Sequence, residues 1–593
     1  MKVIRNCTYA IRTVFHYAPW NVVLYTIGYF VPAFFTGLQM LLVQQIVDSG
    51  VALVQGEGEL RPVVWWSGLL VVMLTLWVSL QKLAQYETLA IRTRLTRRMA
   101  PDIADKLIGL EYASFEEKGV QEVFQRMSNE PQQMVADCFN RAMINIQGTM
   151  SLLFSMAVFF SISLWVGVGV LLIGIPTTIL GFFSAGKRRL ISRQSADARR
   201  RMADLKGLLS NKHAMYEMKL FSSEELFTRK WNQSSAELAD ITMREGRRAL
   251  AMDVASNLLQ ILYIIFIIFT VSYSFFQGSV TLGQFTAAIS GANSIGTKLY
   301  YAAWHLSMML RCALEMDFYM EFLQLEPRRD LGEVENLDHY DIAFENVNFR
   351  YPGTEHQILR NVTFYVKEGE RIAFVGENGA GKSTIIKLLC GLYEPTAGRV
   401  TIGGVPVRSL SEEFRQKVLS VVFQDYQGYQ MSLRENIAFG SMGKLDQDQK
   451  LAHALELAGG SGLLAHRQGI DRNLGKLVED GEDLSKGQWQ GVAMARAFVS
   501  DARYVILDEP TAALDPIAES QMYENFAKIF QERGTVMISH RLASARMADR
   551  ILVLDGGRIV QAGNHEELMG KDGLYRQMYV AQSSWYQGAV NLV

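Results

Sequence analysis

The chain has 593 residues, 49% of them hydrophobic and 20% charged, with a mean hydropathy of +0.07. That length allows roughly four small domains or two large ones, which excludes bulk disorder, and a charged share below the ~25% of soluble proteins points to a portion that lives in lipid. Lys and Arg number 59 against 60 Asp and Glu, a net charge of −1, so the basic excess of a dedicated nucleic-acid binder is excluded too.

The chain opens with Lys2, Arg5 and Arg12 before Pro19, without the sustained apolar core and small-residue cleavage site of a secretory signal, so no removal is expected. Apolar runs near twenty residues then recur as far as about residue 320. A helix of about 20 residues crosses a ~30 Å hydrocarbon core, whereas a buried soluble helix needs only about 10 to 14 apolar residues. Six spans are read, at 20–47, 63–86, 138–162, 164–185, 253–277 and 282–311. The clearest is Leu258 to Phe276; the last is interrupted by Lys298, His305 and Arg311.

Charge orients them. The short Asp48 to Pro62 connection holds one basic residue, Arg61, and reads as external. Lys82, Arg92, Arg94, Arg97, Arg98 and Lys106 follow the second span, and Lys187, Arg188, Arg189, Arg193, Arg199, Arg200 and Arg201 follow the fourth, which puts both long connections in the cytoplasm. Both are helical in pattern, as if the membrane helices continue outward as levers and reverse there, with Arg199 to Arg201 a solvated or lipid-facing stripe. Cys7, Cys138, Cys312 and Cys390 lack metal-ligand spacing and read as packing residues. Gln39, Gln44, Asn145, Gln147, Asn257, Gln260, Asn293, Lys298 and His305 are candidates for a polar pathway, though helix-to-helix hydrogen bonding explains them equally well. Trp65 and Trp66 fit the membrane interface; Trp77 and Tyr300 fit either an interface or a cavity.

The first domain is read as 1–325 and a charged linker as 326–340. From about Asp341 short strands, glycine turns and amphipathic helices mark an α/β domain at 341–585. Gly376-Glu377-Asn378-Gly379-Ala380-Gly381-Lys382-Ser383-Thr384 matches G-x-x-x-x-G-K-[ST], between an apolar strand from Arg371 to Val375 and a helix with a buried face. Loop amides and a helix start aim partial positive charge at phosphates, Lys382 adds a full charge, and Ser383 is the expected Mg²⁺ ligand. Tyr504 to Leu507 is a second buried strand, and it delivers Asp508 for the ion and Glu509 to polarise water. A third strand, Thr535 to Ser539, brings His540 to the same edge as a γ-phosphate sensor.

On these motifs the chain resembles ABC transporters, specifically an exporter-type half with six membrane helices fused before a P-loop ATPase domain that carries a helical subdomain. Phe349-Arg350-Tyr351-Pro352, Phe423-Gln424-Asp425, Leu484-Ser485-Lys486-Gly487-Gln488 and Ala513-Leu514-Asp515 stand in the family's order. The resemblance implies that Tyr351 stacks on adenine and that Gln424 binds the ion and links it and the attacking water to the membrane domain. It implies that Asp515 lies between two ATPase domains, and that Ser485, Gly487 and Gln488 meet the nucleotide of a second chain. Ser485 can itself cap a helix whose start is an anion site, while Lys486 replaces the family's usual first glycine and raises the case of a partner with unequal sites. Glu217 to Phe221 and Gly487 to Gln490 are similar to exporters of lantibiotics and other modified peptides, without the leader-cleaving peptidase domain some of these carry.

The function so implied is ATP-driven export of a peptide or amphipathic small molecule by alternating access, with ATP and Mg²⁺ as cofactors and the bilayer, a second half-transporter and the cargo as partners, in a homodimer or heterodimer and with no role for nucleic acid. A lipid or drug-like cargo, an ATP-gated channel or regulator, and an importer are the alternatives. Tyr112 to Lys118 and Lys212 to Phe221 are the expected coupling segments, with Phe115 and Tyr216 as their docking aromatics or as ordinary packing residues.

Overall fold

The computed structural model describes residues 2–127, 130–162, 164, 167–168, 179, 196–326, 332–476, 479–510, 516–529, 533–539 and 542–590. The span read at 164–185 lies almost wholly outside them. Two compact units emerge: Met1–Ile108 with Glu122–Leu325, and Gly109–Gln121 with Glu326–Val593.

Among its described residues the first unit is built of helices and their connections. After α1 (Lys2–Tyr17), the first apolar run forms α2 (Pro19–Ala33) and α3 (Phe35–Val54), interrupted at Phe34. Pro32 explains the interruption, since it lacks a backbone donor and its ring crowds the preceding turn. The long helices are α4 (Leu60–Ile108), α5 (Pro131–Ile162), α8 (Glu224–Phe276) and α9 (Leu282–Gln324), with α6 (Ala196–Ser210) and α7 (Lys212–Leu220) between them. Among the described residues four segments are long and apolar enough to cross a membrane: Pro19–Val54, Leu60–Ile108, Pro131–Ile162 and Glu224–Phe276. At 49 and 53 residues, α4 and α8 exceed a bilayer crossing by roughly 40 to 50 Å of helix.

Apolar side chains tie α3, α5, α8 and α9 together: Met40, Phe159, Ile267, Ala287, Ala288 and Ile295 are fully or nearly fully buried. The outward faces are apolar as well, with Trp65, Val72, Ile265 and Phe269 exposed, the arrangement that lipid solvates. Buried polar groups find one another: Asn21 Nδ2 donates to Glu87 Oε2 at 2.6 Å between α2 and α4, and Tyr25 Oη to Asn140 Oδ1 at 2.6 Å between α2 and α5. At the start of α9 the Asp48 carboxylate accepts from Gly283 N at 2.8 Å and Thr281 Oγ1 at 3.0 Å, so a fixed negative charge meets the helix N-terminus.

The second unit carries two sheets. β1 (Ile342–Arg350), β2 (Gln357–Val366), β4 (Ala397–Ile402) and β5 (Val405–Pro406) form an antiparallel sheet in the order β2-β1-β4-β5. The other runs β10-β9-β3-β8-β7-β6, from β3 (Arg371–Gly376), β6 (Leu419–Val422), β7 (Tyr504–Asp508), β8 (Gly534–Ile538), β9 (Arg550–Asp555) and β10 (Arg558–Gly563). Only its β10 edge is antiparallel. Every residue of β7 and β8 is buried, as parallel strands covered on both faces require.

Candidate functional site

The site grows from the carboxyl ends of adjacent parallel strands. β8 lies between β3 and β7, with Phe374 opposite Ile538 and Asp508 opposite Ile538, so the loops leaving β3 and β7 emerge at one edge. The β3 loop leads into α10 (Lys382–Leu389). Gly376 closes β3 at φ +154, where a Cβ would sit 2.2 Å from the Leu554 carbonyl oxygen. Gly381, the helix cap, has φ +100, and its Cβ would lie 2.7 Å from Leu359 Cδ2. Both positions exclude a side chain by conformation and by space, which lets the loop wrap tightly around a bound anion.

Lys382 is 5% exposed, and its ammonium donates to the carbonyl oxygens of Gly376 at 2.8 Å and Glu377 at 2.9 Å. Burial lowers its pKa, opposed by the nearby charges of Glu509 and Asp508. Asp508 is 4% exposed; burial lifts its carboxyl to about 6, against a hydrogen bond from Ser383 and with Glu509 adding to the rise. Its Oδ1 has no hydrogen-bond partner among the described residues. A buried carboxylate with an orphaned oxygen beside a hydroxyl is a hard-oxygen donor set, so Asp508 and Ser383 fit a magnesium ion.

Glu509 has φ +51, a left-handed conformation rare for a residue with a side chain, and its N–H donates to the Ile538 carbonyl at 3.1 Å. The turn aims its carboxylate at Gln424, whose Nε2 donates to Glu509 Oε2 at 2.9 Å. Gln424 follows β6, so a third strand end contributes. His540 and Asp515 lie outside the described residues.

Tyr351 sits over the loop helix: its hydroxyl and that of Thr384 are 3.0 Å apart, and the Lys387 ammonium lies 5.2 Å from its ring centroid. Its ring edge meets Tyr393 at 5.4 Å, and Tyr393 meets Tyr112 at 5.6 Å. Tyr393 is absent from the sequence reading because nothing in Gly391-Leu392-Tyr393 marks it; a lone aromatic after a helix is ordinary core. In the 3-10 turn Tyr112–Glu116 the Tyr112 ring meets Tyr393; Phe115 is 40% exposed, and Tyr216 in the other reversal is 67% exposed. Glu111 also pairs with Arg408.

Ser485 caps α11 (Lys486–Val499), its hydroxyl accepting from Gln488 N at 3.3 Å while Gln488 Oε1 accepts from Ser485 N at 2.9 Å. This reciprocal box anchors the helix start and leaves Ser485, Lys486 and Gln488 exposed, so the oriented amides face outward. Tyr426 Oη donates to the Lys486 carbonyl at 2.8 Å, and Gln490 Nε2 to the Pro510 carbonyl at 2.6 Å, tying α11 to the segment after Asp508-Glu509.

Comparison with known proteins bears on both units. Residues 359–512 match the ABC transporter family model, and residues 22–298 match the ABC transporter transmembrane region. The chain is 32% identical over 417 residues to the subtilin transport ATP-binding protein SpaT of Bacillus subtilis, covering 69% of this chain and 68% of that one. It is 27% identical over 578 residues to the nisin transport ATP-binding protein NisT of Lactococcus lactis subsp. lactis, covering 95% and 94%. The fold is similar to that of a bacterial Atm1-family ABC exporter with ATP bound, with a TM-score of 0.76, 22% identity and coverage of 94% of this chain and 98% of that one.

Proposed function

The chain belongs to the ABC transporter family, a multi-pass membrane protein of exporter type with its ATPase domain in the cytoplasm, and we propose that it couples ATP hydrolysis to export of a peptide or peptide-like amphiphile as one half of a dimer. The observation that carries this reading is the convergence of Lys382, Ser383, Asp508, Glu509 and Gln424 at one sheet edge, in a unit that also includes the Glu111 to Glu116 turn. Tyr351 stacks on adenine, beside a cavity of about 490 Å³ bounded by Tyr351, Pro352, Tyr393 and Ala113. The loop amides and Lys382 hold the phosphates. Ser383 Oγ, the Asp508 carboxylate and Gln424 would hold magnesium, which supplies charge neutralisation at the phosphates. Glu509, presented by its left-handed turn and restrained by Gln424, orients the attacking water and takes its proton. His540 reads the γ-phosphate.

The exposed start of α11 is an anion site facing away from its own core, and it suits the nucleotide of a second half, with Ser485, Gly487 and Gln488 as donors and Asp515 at the same contact. Lys486 leaves Ser485 and Gly487 in place, which supports a competent site. Two nucleotides clamped between two ATPase domains then favour one state of the membrane helices, and hydrolysis releases it. The names of the SpaT and NisT relatives, which state transport of subtilin and nisin, support a peptide cargo.

Sealed inside-out vesicles test the reading. ATP should drive accumulation of a lanthionine-containing peptide above its outside concentration, and the Glu509→Gln protein should not. Equilibration without accumulation would identify a channel instead.

A further inference from the structure

The membrane unit holds a cavity of about 780 Å³ between α1, α5 and α9, and its chemistry is uneven. Most of the wall is apolar, from Ile4 and Ile11 of α1, Ile146 of α5 and Met309 of α9. One full charge faces it, the ammonium of Lys298, and among the described residues the lining contains no Asp or Glu. Lys298 donates to Ser151 Oγ at 2.5 Å and to Ser155 Oγ at 3.4 Å, both hydroxyls buried on α5.

Position makes this costly. Lys298 stands roughly 24 Å along α9 from its Leu282 start, on a helix whose Ala292 and Ile295 are fully buried, where an ammonium that loses water is costly unless it faces a partner or a cavity. Two neutral hydroxyls orient the ammonium without neutralising it, and an ammonium has three donors, so one donor and the whole charge remain for something else. In the same lining His305 Nδ1 is buried without a hydrogen-bond partner among the described residues, and Asn145 Nδ2 donates to the His305 carbonyl at 3.1 Å, which fixes that turn of α9. Simple helix-to-helix bonding would be served by serine or glutamine at 298 without a charge.

The geometry points to Lys298 as the recognition group for an anionic headgroup on the cargo: the cavity takes an amphiphile whose apolar body lies along α1 and α5 and whose carboxylate meets the Lys298 ammonium. The volume suits one drug-sized body or a few peptide residues and is too small for a folded domain. This inference rests on the export reading, because it concerns the cargo of the same membrane unit, but it requires only binding.

Nucleotide-free full-length protein in nanodiscs of phosphatidylcholine alone provides the test. The probe is dansylaminoundecanoic acid, followed by dansyl fluorescence, with its neutral carboxamide as control. The carboxylate should bind the native protein at least about tenfold tighter than the carboxamide, as an added charge pair of about 1.4 kcal/mol would give. Lys298→Gln should remove that difference while keeping carboxamide binding, which shows that the cavity has folded, and Lys298→Arg should retain it. Ser151→Ala should weaken carboxylate binding alone. Equal binding of both probes to the native protein, or an undiminished preference in Lys298→Gln, overturns the assignment. So does displacement of the probe by added phosphatidylglycerol at equimolar level, which would make this a lipid site. Peptide accumulation in vesicles without any carboxylate preference would defeat this inference and leave export standing, whereas a carboxylate preference without accumulation would do the reverse.

Discussion

Glu509 concentrates the argument at the scale of one residue. Its positive φ is a conformation the backbone adopts only when its surroundings over-determine it, here a hydrogen bond to Ile538 on one side and Gln424 on the other. That restraint places a carboxylate beside the phosphate loop without letting it collapse onto Lys382, whose ammonium is satisfied by carbonyl oxygens. Glu509→Gln keeps the shape and the bond geometry but removes the proton acceptor. Steady ATP turnover should fall by about 10²- to 10⁴-fold with ATP binding retained, measured by phosphate release beside nucleotide binding at equilibrium. Turnover within twofold of the native rate would end the assignment. The Asp508-Glu509 pair, proposed as ion holder and base, is visible in the sequence because an apolar strand ending in two acids has few structural uses, whereas the left-handed turn at Glu509 is not.

Among the elements, α11 shows how a helix can be stabilised and offered to a partner by the same residues. The Ser485 and Gln488 box satisfies donors at the helix start, and Val492, Met494, Ala495 and Val499 bury the turns that follow. Ser485→Ala should cost about 1 kcal/mol of local stability, a minor loss for a helix so well packed. If the hydroxyl also meets a phosphate across a dimer, ATP turnover should drop about tenfold or more, the scale of a hydrogen bond to a charged group at ~1.5–3 kcal/mol. Thermal unfolding and ATPase rate measured on the same sample separate the two effects: a rate loss that vanishes when temperature is set relative to the unfolding midpoint would leave Ser485 a cap only. This cap was legible because S-x-x-Q before an apolar run has a local cause. The break at Phe34 in the first span was not anticipated, although Pro32 supplies its reason, because apolar content alone does not say which prolines a membrane helix absorbs.

For the whole molecule the telling feature is where the chain is cut. Gly109–Gln121 is flanked on both sides by the membrane unit in sequence, yet it belongs to the ATPase unit, held by the Glu111 pair with Arg408 and by the edge contact of Tyr112 with Tyr393. Because Tyr393 also meets Tyr351, the turn touches the aromatic cluster proposed to seat adenine. Burial lowers the Arg408 pKa, and its Nε has no partner among the described residues, so the guanidinium depends on the carboxylates of Glu111 and Glu394, the latter 2.7 Å away. Glu111→Arg should therefore reduce peptide accumulated per ATP hydrolysed by about tenfold while ATP binding persists, at ~1.5–3 kcal/mol for a bond between charged groups. The double exchange Glu111→Arg with Arg408→Glu should restore much of it. Unchanged coupling in the single variant would show the pair to be incidental.

The two solvents of this protein, the phosphate loop with its strand, and the acids proposed to complete the site are legible in the order of residues alone. Each of those is written in a local pattern: a run long enough for a bilayer, a spacing only an anion loop needs, a strand ending in carboxylates. Folding was needed to bring Tyr112 against Tyr393, and to set Lys298 and His305 in one cavity lining that Gln39 and Gln260 do not join. The reason is physical. Local patterns follow from the chain's own bonds and its solvent, but a cavity or an aromatic cluster exists only where residues far apart in sequence are brought within contact distance, and its cost and use depend on what the other helices leave unfilled.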